Sequence, residues 1–371
     1  MATATAWIEE PASEQPSPLV LEQSLHTPAA PPLPEATLRR LYEYMLKCRT
    51  VEERIRILFR QGRFAGNYFA AVGQEATAVG VTMDLLPEDA IAPSHRSFIT
   101  HIMKGTPLNL LFAQLYGRRT SPDQGRSAPA HCGYAPLNII TPSSTIAAQL
   151  NIGTGIALAY KMRRQPNVVI ALSGDGSTSL GFWHEAVNFA GVQKLPIVFV
   201  VINNLYAESV PLHLQTAVTD ISLKAQGYGI PGVTVDGNDV VAVYRAAQQA
   251  IQRAREGHGA TLLECKTYRW YGHSEIDPAK YRTPEEVKEW KERDPLTAME
   301  TRMEHLGLWT AAWKQELLDG FQKEIQEAID FAESSPVAEG QEALDHVFSF
   351  SIRERALDQR TWSPSLNLVR R

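Results

Sequence analysis

The sequence predicts an α/β protein with a parallel β-sheet covered by helices on both faces, followed by a helical C-terminal part. Apolar runs such as "NVVIALS" and "LPIVFVVIN" are continuous rather than alternating, which is typical of strands buried on both faces. Segments with helical spacing separate these runs along the chain, as in βαβ units. After residue 282 the chain carries helix signals only.

The composition excludes several classes of protein. The chain has 371 residues, of which 44% are hydrophobic and 21% charged, as expected for a globular protein with a sizeable core. The apolar runs are too short to cross a bilayer. A net charge of -5 without a dense Lys/Arg cluster argues against nucleic acid as the main partner. Three widely spaced cysteines without metal-binding spacing favour a reducing cytoplasm.

The first 34 residues differ in composition from the rest of the chain. They contain seven prolines and no Lys or Arg, but they do contain Glu9, Glu10 and Glu14. A secretory signal begins with basic residues and continues with apolar ones, and a mitochondrial presequence is rich in Arg. We therefore interpret residues 1–34 as a flexible arm with polyproline character, and we expect the protein to be cytoplasmic.

The α/β domain is predicted over residues 35–282. Apolar residues from Leu38 to Leu46 recur at helical spacing, and Gly62 supplies a stop signal. Residues 87–135 are rich in Pro, Gly, His and Arg, which predicts loops interrupted by one helix at "PLNLLFAQLYG". The other predicted elements are helices at 73–86, 144–162, 180–194 and 238–256 and strands at 167–173, 195–203, 232–237 and 260–269.

The helical region is predicted over residues 283–371. Thr283 and Pro284 are typical of an N-cap and a first helical turn, and Glu286 is predicted to complete a capping box. A later segment places four apolar residues on one helix face, namely Trp313, Leu317, Phe321 and Ile325.

Polar residues follow two neighbouring predicted strands. Asp175 follows "VVIAL" between two glycines, and Asn203 and Asn204 follow "PIVFVVI". Because parallel strands joined by a right-handed crossover end at the same sheet edge, these side chains are expected to converge. Carboxylate, amide and carbonyl oxygens suit Mg²⁺, and the helix that opens with "STS" can offer N–H groups to a diphosphate.

Other phosphate-binding motifs fit this segment less well. A Gly-Asp-Gly after a strand is most often only a turn, but here Asn-Asn follows after 26 residues, which is more specific. A nicotinamide-binding unit needs a third glycine and an acid at the end of the next strand, whereas this chain has Ser179 and Asn203–Asn204 there. A Walker loop is absent from the sequence.

Together these motifs resemble a known family. Gly-Asp-Gly, 26 residues and Asn-Asn resemble the thiamine diphosphate motif, and "RQGR", "GQEA", "HRSFITHIMKG", "VDGNDV" and "YRWYGHSEIDPAKYRT" occur in that order. Over residues 36–335 the chain resembles the alpha subunit of the decarboxylating first component of 2-oxo acid dehydrogenase complexes. The resemblance implies oxidative decarboxylation of a 2-oxo acid with thiamine diphosphate and Mg²⁺. Pyruvate, the commonest substrate of the family, is expected, and branched-chain 2-oxo acids or acetoin are alternatives.

The resemblance also implies roles for particular residues. Asp175 and Asn204 would be side-chain ligands of Mg²⁺, and Tyr206 would add its backbone carbonyl. The other residues implied to contact the cofactor are Tyr68, His95, Arg96, Gly174, Gly176, Ser177 and His273. His131 and His273 are the implied catalytic residues, with His273 donating a proton during acyl transfer to lipoamide; without the resemblance, both would be ordinary loop histidines.

Some positions depart from the family pattern. Phe69 and Phe98 stand where some relatives have histidine, which leaves Phe69 as an apolar wall. Ala148 replaces a threonine that helps to bind potassium in some relatives, so that ion is not predicted. Ser274 matches a serine that is phosphorylated in mitochondrial relatives, and we interpret it as an unregulated loop residue.

The sequence predicts only part of a complete active site. The sequence predicts one α/β unit, and this unit resembles the half of the active site that binds the diphosphate. The glutamate that activates the aminopyrimidine is therefore expected on a beta subunit, in an α2β2 heterotetramer that acylates a lipoyl-bearing second component. A binding-only relative that scaffolds such a complex is the alternative of a different class.

Overall fold

The computed structural model describes residues 31–345 and 347. The predicted arm, residues 1–34, lies almost entirely outside them. The described residues from Pro34 onward belong to one compact unit. No helix in the described part of the chain is long and apolar enough to cross a membrane.

A five-stranded parallel sheet forms the centre of this unit. The strands of this sheet are β1 (Ala90–Ala92), β2 (Val169–Gly174), β3 (Ile197–Asn203), β6 (Gly232–Asp236) and β7 (Thr261–Lys266), and two short strands, β4 (Tyr206–Ala207) and β5 (Val210–Pro211), lie outside it. The sheet order is β1-β2-β3-β7-β6, and every pairing in it is parallel. Strands β4 and β5 form a separate antiparallel pair directly after β3. The continuous apolar runs of β2 and β3 are buried because helices cover both faces.

Helices occupy both sides of the sheet. They are α1 (Glu35–Arg60), α2 (Glu75–Thr82), α3 (Ile99–Lys104), α4 (Leu108–Leu115), α5 (Ala148–Met162), α6 (Gly181–Val192), α7 (Leu212–Gln215), α8 (Val240–Arg255), α9 (Pro284–Glu292), α10 (Pro295–His305) and α11 (Ala311–Ser334). Short 3₁₀ segments lie at Ala135–Leu137, Asp175–Ser179, Ile221–Tyr228 and Gly340–Leu344. Helices α5 and α6 cover one face of the sheet and α8 covers the other. The predicted fold class is therefore confirmed.

The core consists of two apolar clusters, one on each face of the sheet. On one face Phe199 of β3 packs with Trp183 of α6. On the other face Val198 of β3 packs with Val243 of α8. Adjacent residues of β3 thus enter opposite clusters, as the pleat of a strand requires.

The segment 87–135 contains two elements that the sequence did not predict. Strand β1 has only three residues and lies at the sheet edge, where it pairs with β2 and where Ile91 also bridges to Ile139. Helix α3 has six residues and ends at Lys104, and the following Gly105, with a φ of 85°, forms a left-handed C-cap. Both are too short to show a periodic pattern, so tertiary pairing specifies them rather than local sequence.

The capping-box prediction for Glu286 is wrong. The Thr283 hydroxyl accepts a hydrogen bond from the Glu286 N–H at 3.2 Å, as an N-cap should. The Glu286 carboxylate does not return to Thr283; it accepts hydrogen bonds from the phenols of Tyr206 and Tyr268, at 2.9 and 2.7 Å. Tertiary hydrogen bonds have replaced the local one.

The C-terminal helices pack against the beginning of the chain. Helix α11 contacts α1 and α4, and α10 contacts α1. Of the predicted apolar face, Phe321 and Ile325 are buried, whereas Trp313 and Leu317 are half-buried. The predicted domain boundary at residue 282 stays a prediction.

Candidate active site

A cavity of about 360 Å³ opens at the carboxyl ends of β2 and β3. Asp175 follows β2 and Asn204 follows β3, and both line the cavity together with Tyr206. They meet because β2 and β3 are adjacent and parallel, with Gly174 opposite Ile202 in the register. The structure thus brings the three residues together, and their role as metal ligands stays a prediction.

Nine of the eleven predicted site residues line this cavity. They are His95, Arg96, Gly174, Asp175, Gly176, Ser177, Asn204, Tyr206 and His273. Tyr68 does not line it: its side chain is fully buried, and its phenol donates to the Glu52 carboxylate at 2.9 Å. His131 also lies outside the lining, with its Nε2 atom 2.8 Å from the Ser144 hydroxyl.

Two of the three expected metal-binding oxygens face the same point. Arg269 Nη1 lies 3.0 Å from the Tyr206 carbonyl and 3.4 Å from Asn204 Oδ1, and it donates to both. The Asp175 carboxylate is only 1% exposed and accepts a hydrogen bond from Gln215 at 2.8 Å. Burial raises the pKa of Asp175. This donor set, made of a carboxylate, an amide and a carbonyl, is one that Mg²⁺ accepts.

No cluster of acidic, histidine or cysteine side chains competes with this donor set in the described part of the chain. Among the described residues, no group of three or more His, Cys, Asp or Glu side chains is placed to hold a metal ion. A cation bound at the β2–β3 edge would have Asp175 as its predicted carboxylate ligand and neutral oxygens as its other predicted protein ligands. Such a set leaves room for diphosphate oxygens and water, as is usual for Mg²⁺.

The backbone on either side of β4 is unusual. Leu205, between β3 and β4, and Glu208, between β4 and β5, adopt left-handed conformations, with φ of 72° and 54°, although neither is glycine. The buried Arg269 holds this segment, since it donates to the Tyr206 carbonyl at 3.0 Å and also to the Glu208 carbonyl. Its second contact at Nη2 is the Tyr281 hydroxyl at 2.7 Å.

The two glycines around Asp175 serve different purposes. A Cβ atom on Gly176 would lie 2.6 Å from the Ala207 Cβ, so only glycine lets the 3₁₀ segment pack against β4. A Cβ atom on Gly174 would meet no atom within 4 Å. Gly174 lines the cavity, so its missing side chain leaves space for a ligand.

Two buried guanidinium groups give the cavity a positive interior. Arg96 donates to the carbonyls of Ala70 and His273, at 2.9 and 2.7 Å, and Arg269 bonds to carbonyls, an amide and a phenol. Neither is within ion-pair distance of a carboxylate in the part of the chain that the structure describes. Burial and the charge of Arg269 lower the pKa of Arg96 to about 9, so Arg96 stays charged at neutral pH. Buried cations without an anion are costly, and a diphosphate would supply that anion.

His95 and His273 form an aromatic cluster with Phe69 beside Arg96. The Phe69 ring centroid lies 4.6 Å from that of His95 and 5.3 Å from that of His273. Burial, and secondly the Arg96 charge, lowers the pKa of His95 to about 3 and that of His273 to about 4. Both imidazoles are therefore neutral at pH 7. His273 Nδ1 lies 3.4 Å from Arg96 Nη2, and because a guanidinium only donates, this contact favours the tautomer of His273 with its proton on Nε2.

Two buried amides lining the cavity have free hydrogen-bonding atoms. Gln74 Nε2 and Gln149 Oε1 have no partner among the described residues, and both side chains are almost fully buried. Buried polar atoms are normally paired, so the cavity fits a ligand that carries both acceptors and donors. The sequence patterns indicated no role for these glutamines or for Arg269, although "GQEA" and "YRWYGHSEIDPAKYRT" contain Gln74 and Arg269.

Comparison with known proteins gives a consistent result. The family model described as "Dehydrogenase E1 component" matches residues 42–341. The chain is 38% identical to 2-oxoisovalerate dehydrogenase subunit alpha of Bacillus subtilis, over 83% of this chain and 94% of that protein. It is 35% identical to the alpha subunit of acetoin:2,6-dichlorophenolindophenol oxidoreductase of the same organism, over 83% and 92%. It is 37% identical to pyruvate dehydrogenase E1 component subunit alpha of B. subtilis, over 83% and 81%.

Proposed function

The chain belongs to the dehydrogenase E1 component family, and from that premise we propose that it binds thiamine diphosphate with Mg²⁺ and takes part in the oxidative decarboxylation of a 2-oxo acid. The cavity supports this proposal most directly: buried Arg96 and Arg269 form no ion pair with a carboxylate among the described residues, and Asp175 lines the cavity with two neutral oxygens suited to a cation. A magnesium diphosphate supplies both missing charges.

Each end of the cavity has its own binding task. Asp175, Asn204 and the Tyr206 carbonyl would hold the cation. Arg96 would contact the diphosphate, and Gly174, Gly176 and Ser177 would line the diphosphate-binding part of the cavity, as the family resemblance implies. When bound, thiamine diphosphate supplies the electron sink for loss of CO₂.

His273 is proposed to deliver a proton during acyl transfer to a lipoyl group. Its Nε2–H is the donor that the contact with Arg96 leaves available. A neutral imidazole is too weak an acid to release this proton, so proton delivery requires the protonated ring. A nearby phosphate would raise the pKa of His273 towards the working range of a general acid. His131 is proposed as a second catalytic histidine near the rim of the site, since its hydrogen-bond partner Ser144 directly follows Ser143, which lines the cavity.

The role of His273 can be separated from cofactor binding. His273→Ala should impair lipoyl acylation more than decarboxylation measured by dye reduction with free 2-oxo acid. The reason is that opening a dithiolane requires a proton, whereas CO₂ loss relies on the cofactor. Equal losses in the two assays would show that His273 serves binding or loop structure instead.

The narrower proposal for the substrate is pyruvate. The relatives named for 2-oxoisovalerate, acetoin and pyruvate are 35–38% identical to this chain, so branched-chain 2-oxo acids and acetoin are the alternatives. The half-buried Phe69 ring is the proposed apolar wall of the substrate pocket. Comparing kcat/KM for pyruvate, 2-oxoisovalerate and acetoin decides among them, and a preference for either alternative would overturn the pyruvate assignment.

We propose that a beta subunit completes the site in an α2β2 heterotetramer, which then acylates a lipoyl-bearing second component. The described residues contain one parallel sheet, and residues 283–345 are mainly helical, so no second α/β unit is seen to supply the acid for the aminopyrimidine. The three free, buried cysteines fit the proposed cytoplasmic location. The chain purified alone should be catalytically silent, whereas co-expression with its beta partner should give an assembly that releases CO₂ from a 2-oxo acid. Decarboxylation by the isolated chain, once contaminating partner is excluded, would refute the divided site.

A catalytically inert scaffold is the candidate of a different class. Such a protein would have no need for two buried arginines, Arg96 and Arg269, that form no ion pair in the described part of the chain and lie beside a buried Asp175. Calorimetry on the co-expressed assembly distinguishes the two: the enzyme should bind thiamine diphosphate in the presence of Mg²⁺, and a scaffold should not.

A further inference from the structure

A second buried carboxylate, Glu264, lies close to the turn that carries Asn204 but does not line the cavity. It is on β7 in the middle of the sheet, opposite Val201 of β3 and Thr234 of β6, and is fully buried. No Lys or Arg forms an ion pair with it among the described residues. Three hydrogen-bond donors satisfy it instead: Asn203 Nδ2 at 2.7 Å, the Ser222 N–H at 2.9 Å and the Thr234 hydroxyl at 3.1 Å.

Glu264 fixes the orientation of the Asn203 amide. A carboxylate only accepts hydrogen bonds, so Asn203 must direct its NH₂ group towards Glu264 Oε1. The Asn203 oxygen then faces the opposite way and accepts a hydrogen bond from the Leu205 N–H at 3.1 Å. The predicted convergence of Asn203 with Asp175 does not occur, because Asn203 is turned into the sheet towards Glu264.

The Leu205 N–H belongs to the strained part of the β3–β4 turn. Leu205 has a φ of 72°, a conformation that a leucine adopts only when its surroundings hold it. The residues on either side supply Asn204 Oδ1 and the Tyr206 carbonyl, which converge on Arg269 Nη1 at 3.4 and 3.0 Å. A change in the Leu205 conformation would therefore separate the two oxygens.

We propose that Glu264 is a positioning residue for the cation site, acting through Asn203 on the Leu205 conformation. Glu264 contacts neither the cavity nor the proposed ligands. It selects one orientation of the Asn203 amide, that amide holds Leu205, and Leu205 places Asn204 Oδ1 and the Tyr206 carbonyl on one point. The inference rests on the proposed function, since it assumes that the cation binds at these two oxygens.

The substitution Glu264→Gln tests the first link. The Ser222 N–H is part of the backbone and cannot turn, so the oxygen of the introduced amide should take that side and its NH₂ should face Asn203. Asn203 would then rotate its amide and oppose the Leu205 N–H with its own NH₂. Leaving a buried donor unpaired should lower Mg²⁺ affinity by about tenfold or more.

An exchange of the two groups should restore the site. In the double variant Asn203→Asp/Glu264→Gln, the introduced carboxylate accepts from both the introduced amide and the Leu205 N–H. The introduced amide oxygen still accepts from Ser222. The single variant Asn203→Asp places two carboxylates in contact and should be worse than either the native pair or the exchanged pair.

Thr234→Val is the matched control. It removes one donor to Glu264 on the side away from Asn203, so it should lower the melting temperature without changing Mg²⁺ affinity. All variants are made in the chain co-expressed with its beta partner, and correctly assembled protein is isolated by size-exclusion chromatography. Mg²⁺ is then titrated calorimetrically at saturating thiamine diphosphate, and the melting temperature is measured on the same samples.

The expected result is weaker Mg²⁺ binding for Glu264→Gln and Asn203→Asp, recovery in the double variant, and native affinity for Thr234→Val. Native Mg²⁺ affinity in Glu264→Gln, or equal loss in the single and double variants, would overturn the positioning role. Failure of the unmodified assembly to bind Mg²⁺ with thiamine diphosphate would instead refute the proposed function on which the inference rests.

Discussion

The glycines on either side of Asp175 should respond in opposite ways to the same added methyl group. Neither has a left-handed φ, so alanine fits the local backbone at both positions. In Gly176→Ala the new Cβ lies 2.6 Å from the Ala207 Cβ, whereas ordinary contact is 3.4–4 Å. The 3₁₀ segment and β4 must therefore separate by about 1 Å, and overpacking of this kind costs about 1–3 kcal/mol of folding stability.

Gly174→Ala is the matched control for this strain. Its Cβ meets no atom within 4 Å, and Gly174 has φ -87° and ψ 169°, which alanine adopts readily. The unfolding free energy should therefore rise or stay within about 1 kcal/mol of the native value. The methyl group lies at the cavity lining, however, so cofactor affinity should fall although the fold is intact.

The two effects are measured on the same co-expressed assemblies. Thermal or denaturant unfolding reports stability, and calorimetric titration with Mg²⁺ and thiamine diphosphate reports affinity. Gly176→Ala should lower the melting temperature by a few degrees and weaken binding, because the Tyr206 carbonyl moves with β4. Native stability in Gly176→Ala, or lost stability in Gly174→Ala, would show that the packing argument for these glycines is incorrect.

Two further predictions concern charge. Asp175→Asn keeps the shape of the side chain and the hydrogen bond from Gln215 but removes the carboxylate charge. Mg²⁺-dependent binding of thiamine diphosphate should therefore weaken by about a hundredfold or more, with an unchanged melting temperature. Unchanged affinity in calorimetry would show that Asp175 does not belong to the cation site. His273 has a pKa of about 4 in the folded chain against the ordinary 6.5, so its contribution to stability is present above pH 6.5 and is lost as the pH falls towards 4. The unfolding free energy should therefore decline with acidification over that range, and less steeply in His273→Gln; identical slopes would contradict the lowered pKa.

The sequence predicted those parts of the site that follow from local patterns. Asp175 and Asn204 follow continuous apolar strands, and the rule for parallel strands is enough to place them on one edge. Gln74, Gln149 and Arg269 come from three separate segments, each without a local pattern of its own, so their convergence depends on tertiary packing. The same holds for Glu286, whose carboxylate bonds to Tyr206 and Tyr268 instead of its own helix N-terminus.

The fold shows the same division between local and tertiary information. Local sequence specifies strands β2, β3 and β7 by their apolar runs, and it specifies helices α5, α6 and α8 by helical spacing over several turns. Strand β1 has three residues and is held by its pairing with β2. The family resemblance implied that Tyr68 contacts the cofactor, but its side chain lies outside the cavity lining. Its phenol donates to the buried Glu52 carboxylate instead.

The charges around the cavity predict that Mg²⁺ and thiamine diphosphate bind together. Arg269 Nη1 already donates to the Tyr206 carbonyl and Asn204 Oδ1, so a lone Mg²⁺ ion would meet a fixed positive charge at its own ligands. A lone diphosphate would find Arg96 but would also approach the buried carboxylate of Asp175. Only the combined group would compensate both, because the predicted position of the cation is beside Asp175 and the phosphate oxygens would then be available to the arginines. Calorimetric titration of the co-expressed assembly should accordingly show weak binding of either component alone and at least about tenfold tighter binding of each in the presence of the other. Tight binding of Mg²⁺ without the diphosphate would mean that Arg269 does not oppose the cation, and the charge argument for this cavity would fail.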